Sequence, residues 1–449
     1  MSFLGERNAI ALGVSQHAVL GSGPLLTQLS PSLLLQFAGA QTLDPRITFT
    51  RSTTATYYDQ SGVLSTAAIN APRFDYNPAT LAPLGLLIEE QRTNLILQSE
   101  TCDVTPWVTA APYSVNANAA ISPDGTQNAD ALIVANGSSS FTTNVTKQVV
   151  TKAASAIQYT RSGYFKALGL TTTVRLNDFA VSGANSATVV VSLIDGSIVS
   201  AAAATGTFSG ASVAVTNVGN GWWRVALTYT TDTTASLTVR SFPYVGASTP
   251  LTGDGTSGLL VYGTQLEAGA FATSYIPTVA SQVTRTADVA TMTGTNFSSW
   301  YNATEGTFFV DWTAGQDTVF INAFAVGTTV VGESASVRRG SLGNMSAAFT
   351  NSGVVQANMV LITGEPIVGT TYKAATAYQV NNFAAGLNGV ITATDASGTV
   401  PLNISTLVIG SGWNSTTGSS ATEFLNSTIR QIVYYPRRLS NAQLQGITS

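Results

Sequence analysis

The sequence predicts an all-β protein built of tandem antiparallel β-sandwiches, with an N-terminal arm and a β-hairpin collar ahead of them. Three observations carry this. Short apolar/polar alternations, the period of a half-buried strand, recur from residue 45 almost to the C-terminus. Turn signals separate them: "DG" at 195–196, "NVGNG" at 217–221, "TGDGTSG" at 252–258 and Asn388-Gly389, the last the strongest short hairpin signal. Hydrophobic residues make up 44 % and the chain holds 6 Trp, 15 Tyr and 18 Phe, yet only 9 % of residues are charged, against roughly a quarter in typical soluble domains. The chain therefore buries a core and presents an unusually uncharged surface of Ala, Thr, Ser, Gly and Asn.

At 449 residues the chain is too long for one ordinary core, and two or three domains are expected. Residues 1–44, with Pro24 and Pro31, show neither a helical nor a strand period. They read as an extended or partly helical arm, ordered by contact with another component or loose as termini often are. Residues 45–100 form a hairpin collar and connector. "ATYYDQSGVL" is a strand, a tight turn at Gln60-Ser61-Gly62 and a second strand. "NAPRFDYNPAT" follows as turn, and "APLGLLIEEQRTNLIL" as a strand and a loop.

Residues 101–278 read as the first sandwich, with strands in "SAIQYTRSGYFKAL", "TTTVRLNDFAV", "ATVVVSLI" and "SLTVRSFPYV". In "GWWRVALTYT" period 2 places Trp223, Val225, Leu227 and Tyr229 on the core face, and Trp222, Arg224, Ala226 and Thr228 on the other. Residues 279–303 read as a linker and 304–449 as a second sandwich. There "EGTFFVDWTAG" alternates Phe308, Val310 and Trp312 against Thr307, Phe309 and Asp311. The chain closes on a strand, Pro436 and an amphipathic helix, with Ser440 as N-cap and Gln443 completing a capping box.

Several function classes are disfavoured. The net charge is −4 and the 19 Lys and Arg are scattered, which argues against nucleic-acid binding. No apolar run reaches the length of a membrane span, and "MSFLGERNAI" lacks the basic-then-apolar pattern of a secretory signal. With 1 Cys (Cys102) and 1 His (His17), there is no intrachain disulfide, and a Ser-His-Asp, Cys-His or zinc site would have to use those two residues. A carboxylate-only glycosidase is the enzyme class left open; the expectation is no enzyme and no cofactor.

Two segments resemble a known family. The run from "ITFTRSTTATYYDQSGVL" through "LLIEEQRTNLILQSE", and "VYGTQLEAGAFATSYIPT" at 261–278 with "NGWWRVALTY", resemble bacteriophage fibre and head-spike proteins with carbohydrate-binding-like sandwiches. Residues 304–449, with "GLNGV" and "IRQIVYYPRRLSNAQL", are similar to concanavalin A-like or laminin-G-like jelly rolls. The resemblance implies lectin-like jelly-roll sandwiches on a virion surface. It also implies an arm anchored to head or tail proteins, a homo-oligomer with a trimer favoured, and host glycan as partner.

Sugars are bound by aromatic faces with Asp, Asn, Gln or Arg on their hydroxyls. Trp222 with Arg224 is the first candidate, since Trp222 points off the core face; packing under a loop or against another chain is its structural alternative. Trp107, Tyr244 and Trp413 sit in loop-like contexts and are further carbohydrate-binding candidates, each with a packing alternative. Glu89 and Glu90 are adjacent and point to opposite faces of a strand, so they cannot flank one glycosidic bond. With Glu267 they read as structural, and Arg92 is near enough to pair with one. Asp254 in "TGDGTSG" could ligate Ca²⁺, but one carboxylate falls short of the usual oxygen set, and a turn role explains it.

The function expected is thus a non-enzymatic surface fibre or spike that binds host polysaccharide and promotes adsorption. A structural decoration protein is the alternative, and a depolymerase the third.

Overall fold

A computed structural model of the chain describes residues 30–140, 147–180, 184–315, 322–328, 332–339, 343–412 and 423–449; His17 and Trp413 lie outside them. Strands dominate, and the fold is all-β as expected. The two sandwiches do not follow one another along the sequence, however: the first is inserted into the second.

The second sandwich draws on both ends of the chain. Among the described residues, one face is an 8-stranded sheet. It runs from Val390–Asp395 through Phe383–Leu387, Thr371–Gln379, Glu305–Thr313 and Ser427–Tyr435 to Pro83–Ile88 and Phe74–Tyr76, and Leu33–Gln36 also pairs with Ser427–Tyr435. The other is a 7-stranded sheet: Thr48–Thr50, Val289–Thr293, Thr406–Ile409, Asn322–Gly327, Ser334–Arg339, Met345–Asn351 and Val354–Ile362. Phe308, Val310 and Trp312 point between the sheets and pack with Phe324, Phe349, Met292 and Tyr434, as their alternation predicts. Phe309 faces the opposite way and is covered, with Val433 and Tyr435, by Leu444 of the terminal helix Asn441–Thr448. That helix starts at the expected capping box, Ser440 and Gln443 each accepting the other's backbone N–H. Asn388 and Gly389, both at positive φ (45° and 82°), make the two-residue turn joining Phe383–Leu387 to Val390–Asp395.

Two expected boundaries are corrected. The arm of residues 1–44 includes a strand of the second sandwich, with Leu33 opposite Tyr434. The 279–303 "linker" holds the strands Val283–Arg285 and Val289–Thr293, and its Met292, Phe297 and Trp300 are buried in the core. The physical reason is pairing over a distance: Thr48 lies opposite Thr291. Strands of three to five residues cannot show a period, and their partners are remote in sequence. Gly85 permits a close approach of two strands of this sandwich. At φ +117°, a Cβ there would lie 2.1 Å from the Ile429 carbonyl oxygen.

The inserted sandwich packs a sheet of Lys147–Thr151, Ser236–Val245, Thr173–Phe179, Ser186–Ser192 and Ile198–Thr205 on one of Ser209–Asn217, Trp223–Thr230, Gln158–Leu168, Gly258–Ala268, Gln127–Val134 and Tyr113–Ile121. Val225, Leu227 and Tyr229 fill its core as expected, with Val174, Leu176, Val189 and Leu259. Its entry and exit form a two-stranded neck in which Arg92–Asn94 pairs with Val283–Arg285.

The collar hairpin has the expected form, Ala55–Tyr58 against Leu64–Ala67. The Asp59 carboxylate accepts N–H bonds from Ser61 and Val63 and the Ser65 hydroxyl proton, which fixes the turn. A two-stranded unit is marginal alone. This one lies on the outer face of the inserted sandwich, where Tyr58 and Leu64 pack with Tyr164, Trp222, Tyr262 and Tyr275. The Leu64 N–H donates to the Pro123 carbonyl and the Thr56 hydroxyl to that of Tyr275.

Candidate carbohydrate-binding groove

Of the aromatic residues expected to meet sugars, the described ones, Trp222, Trp107 and Tyr244, are packed instead. Trp222 is 2 % exposed and its Nε1 donates to the Ile121 carbonyl. It points off the core face, as the alternation predicts, but packs there with Tyr164, Tyr262 and Tyr275 under the collar's Tyr58 and Leu64. Trp223, expected in the core, lies only partly buried at its edge, its Nε1 donating to the Leu193 carbonyl. Arg224 donates to the Thr273 carbonyl at 2.7 Å and to the Ser162 hydroxyl, and its guanidinium lies 5.4 Å from the Tyr164 ring centre. Tyr244 is 1 % exposed, on the strand Ser236–Val245 rather than a loop, and accepts from Arg175. Trp107 packs against the core, its Nε1 donating to the Gln98 carbonyl. Of these positions Trp222 and Tyr244 are corrected outright: neither presents a ring to solvent.

The acidic residues hold the junction together. Asp288 bridges Arg51 and Arg73 and accepts the Glu89 N–H. Glu89 pairs with Arg73 at 2.8 Å and Arg285 at 3.5 Å, and accepts the Ser274 N–H and hydroxyl. Burial alone would raise the Glu89 carboxyl; the Arg285 and Arg73 guanidiniums overcome it and hold the group at about 2. Glu267 takes the neighbouring residue, accepting the Thr273 N–H and hydroxyl, and burial pushes its carboxyl up. Glu90 pairs with Arg92 at 2.5 Å. These glutamates are thus bound to the exit of the inserted sandwich and to its neck, as their reading as structural groups requires. Asp254 is committed to its own turn, accepting the Thr256 and Ser257 N–H bonds, which hold its carboxyl below the usual range.

An open groove of about 280 Å³ lies on the collar, lined by Gln41, Tyr57, Asp59, Gln60, Phe74 and Tyr76 among others. Three short pieces build it: the chain after Leu33–Gln36, the hairpin turn, and the edge strand Phe74–Tyr76. Along the hairpin, Tyr58 turns inward, its hydroxyl donating to that of Tyr164, while its neighbour Tyr57 lines the groove. Tyr57 and Tyr76 supply half-buried rings, and Gln41, Gln60 and Ser61 supply exposed hydrogen-bonding groups. This pairing of aromatic faces with amides suits a hydroxyl-rich ring whose faces are apolar. Asp59 is the one carboxylate in the lining, and its turn already occupies it. Sequence reasoning placed Tyr57 in the first hairpin strand and Tyr76 in a turn, and took neither for a binding residue. The signal was present in "YYD", where a strand must show one of two adjacent aromatics outward.

No protein-family model matches the chain. No curated protein matches it in sequence either. Among solved structures, the CBM40 of a Ruminococcus gnavus IT-sialidase, bound to α2,3-sialyllactose, is 13 % identical, with 34 % of this chain and 87 % of that chain covered at a TM-score of 0.29. The NanB sialidase of Streptococcus pneumoniae is 9 % identical over 35 % of this chain and 26 % of its own, at 0.30. Domains LG4-5 of mouse laminin α1 are 8 % identical over 68 % and 90 %, at 0.23. Likeness at these TM-scores carries no functional argument, and the fold described above rests on the strand pairing itself.

Proposed function

We propose that this chain is a non-enzymatic glycan-binding protein of a particle surface, a virion fibre or spike, that uses the collar groove to hold host polysaccharide. The observation that carries the binding reading is the groove itself, in which Tyr57 and Tyr76 line one 280 Å³ opening with Gln41 and Gln60. The low charge of the chain, 9 %, supports it, since a surface of hydroxyls and amides exchanges water for sugar hydroxyls at little electrostatic cost. The virion setting, attachment through the N-terminal arm (residues 1–44), and assembly as a trimer rest on the resemblance of residues 47–100 and 261–278 to phage fibre and spike proteins.

The rigid junction suits such a role. One buried ion cluster, Arg51, Arg73, Glu89, Arg285 and Asp288, lies at the junction, and the collar's Thr56 carbonyl and the inserted sandwich's Ser274 are hydrogen-bonded to it, which ties the groove to the body of the protein. The test is binding of the full chain to an array of bacterial surface polysaccharides, together with competition against particle adsorption. Specific capture by at least one host polysaccharide, lost in Tyr57→Ala, is expected. Capture of none, with no effect on adsorption, removes the proposal.

A further inference from the structure

We infer that the collar groove accepts an uncharged sugar residue and discriminates against an acidic one. The inference deepens the glycan-binding reading and rests on it. No Lys or Arg contributes to the lining, and the charged side chain that does is Asp59. Its carboxylate cannot swing aside, because the Ser61 and Val63 N–H groups and the Ser65 hydroxyl hold it in the turn.

A second carboxylate stands close by. Asp75 lies between the groove residues Phe74 and Tyr76 and accepts the Tyr58 N–H at 2.8 Å. Asp59 reaches the groove electrostatically, since the Tyr57 hydroxyl is pushed up first by burial and next by Asp59; Asp75, itself raised to about 7 by burial, adds charge only towards and above neutral pH. Arg73, the cation nearest to Asp75 in sequence, is buried and turned to Glu89 and Asp288.

A sialic or uronic acid carboxylate is ordinarily met by a guanidinium or ammonium group, often bidentately. Here it would lose water, meet a fixed negative charge and find no cation among the lining residues. A neutral hexose or N-acetylhexosamine needs only what the groove offers, ring faces and amides. At about 280 Å³ the opening falls just below the roughly 300–1,000 Å³ typical of ligand pockets, a size for one or two sugar rings and not a long chain segment.

The experiment titrates the full chain with matched oligosaccharides, galactose- or glucose-terminated and their sialylated or uronic-acid counterparts, at low salt, where charge effects are least screened. Tyr57→Ala maps any binding to the groove. Gln60→Lys places a cation on an exposed turn position of the same lining and reads the site even if Tyr57→Ala folds poorly. Neutral glycans should bind in a Tyr57-dependent way, their acidic counterparts at least tenfold more weakly, and Gln60→Lys should narrow that gap. Equal or tighter Tyr57-dependent binding of the acidic glycans overturns the selectivity and leaves the groove as the site. Absence of binding, or binding indifferent to both Tyr57→Ala and Gln60→Lys, overturns the groove reading as well.

Discussion

Arg92 and Arg285 face each other directly across the neck, one on the strand entering the inserted sandwich and the other on the strand leaving it. Like charges opposite one another destabilise a two-stranded pair. Each arginine here has a carboxylate beside it, Glu90 for Arg92 and, for Arg285, Glu89, which it shares with Arg73. The adjacent glutamates that might suggest a glycosidase therefore neutralise a junction.

The neck pairing makes the inserted sandwich separable. Asn94 and Val283 are paired neighbours, so residues 95–282 can be replaced by a short Gly-Asn turn. The remaining chain keeps both sheets of the second sandwich and should fold, at a lower melting temperature because Tyr58 and Leu64 lose their cover. Circular dichroism and calorimetry check this; a chain without a cooperative transition contradicts the insertion topology.

Asp288 is the most sensitive member of the ion cluster. Asp288→Ala strands Arg51 and Arg73, both 1 % exposed or less, without their shared partner. Removing one partner from a buried charge group costs about 3–5 kcal/mol. Denaturant unfolding should show that loss, and an unchanged midpoint would mean the cluster does not hold the junction.

The pH dependence has two parts of opposite sign. Glu89 is held at about 2 by Arg285 and Arg73 against burial, below the roughly 4.3 of a free glutamate. Its stabilisation is full above that free value and is lost as pH falls towards 2. Asp75 is raised to about 7, by burial first, against the Tyr58 N–H and Arg73. The fold binds its proton more tightly than the unfolded chain, so stability falls as pH rises from about 4, the free aspartate value, to 7. Melting temperature should rise from pH 7 to 5 and fall steeply below 4. Asp75→Asn should flatten the upper slope; if it leaves that slope intact, Asp75 is not the group responsible.

Trp222 separates packing from recognition. As a ring buried at 2 % exposure, its replacement by alanine should cost about 3–5 kcal/mol and leave glycan affinity of the folded fraction unchanged. Little loss of stability with loss of binding would restore it as a sugar platform.

Much of the fold was legible because it is local. Phe308, Val310 and Trp312 announce a core-facing strand, Asn388-Gly389 a hairpin, and Ser440 with Gln443 a helix start. The domain order was not legible, since Leu33 meets Tyr434 and Thr48 meets Thr291, and no local pattern records partners hundreds of residues away. Trp222 points off the core face as period 2 requires, and was misread because the sheet face on that side carries a second layer, the collar. The groove was missed for a related reason: Gln41, Tyr57 and Tyr76 come from three segments that only the tertiary fold brings together.

Occupancy of that groove is the central claim. Calorimetric titration of a host-derived oligosaccharide into the full chain and into Tyr57→Ala/Tyr76→Ala tests it most directly. The account predicts saturable binding by the parent chain. It also predicts at least a tenfold loss, about 1.4 kcal/mol, in a variant whose melting temperature is little changed. Equal affinity in the two proteins would contradict it.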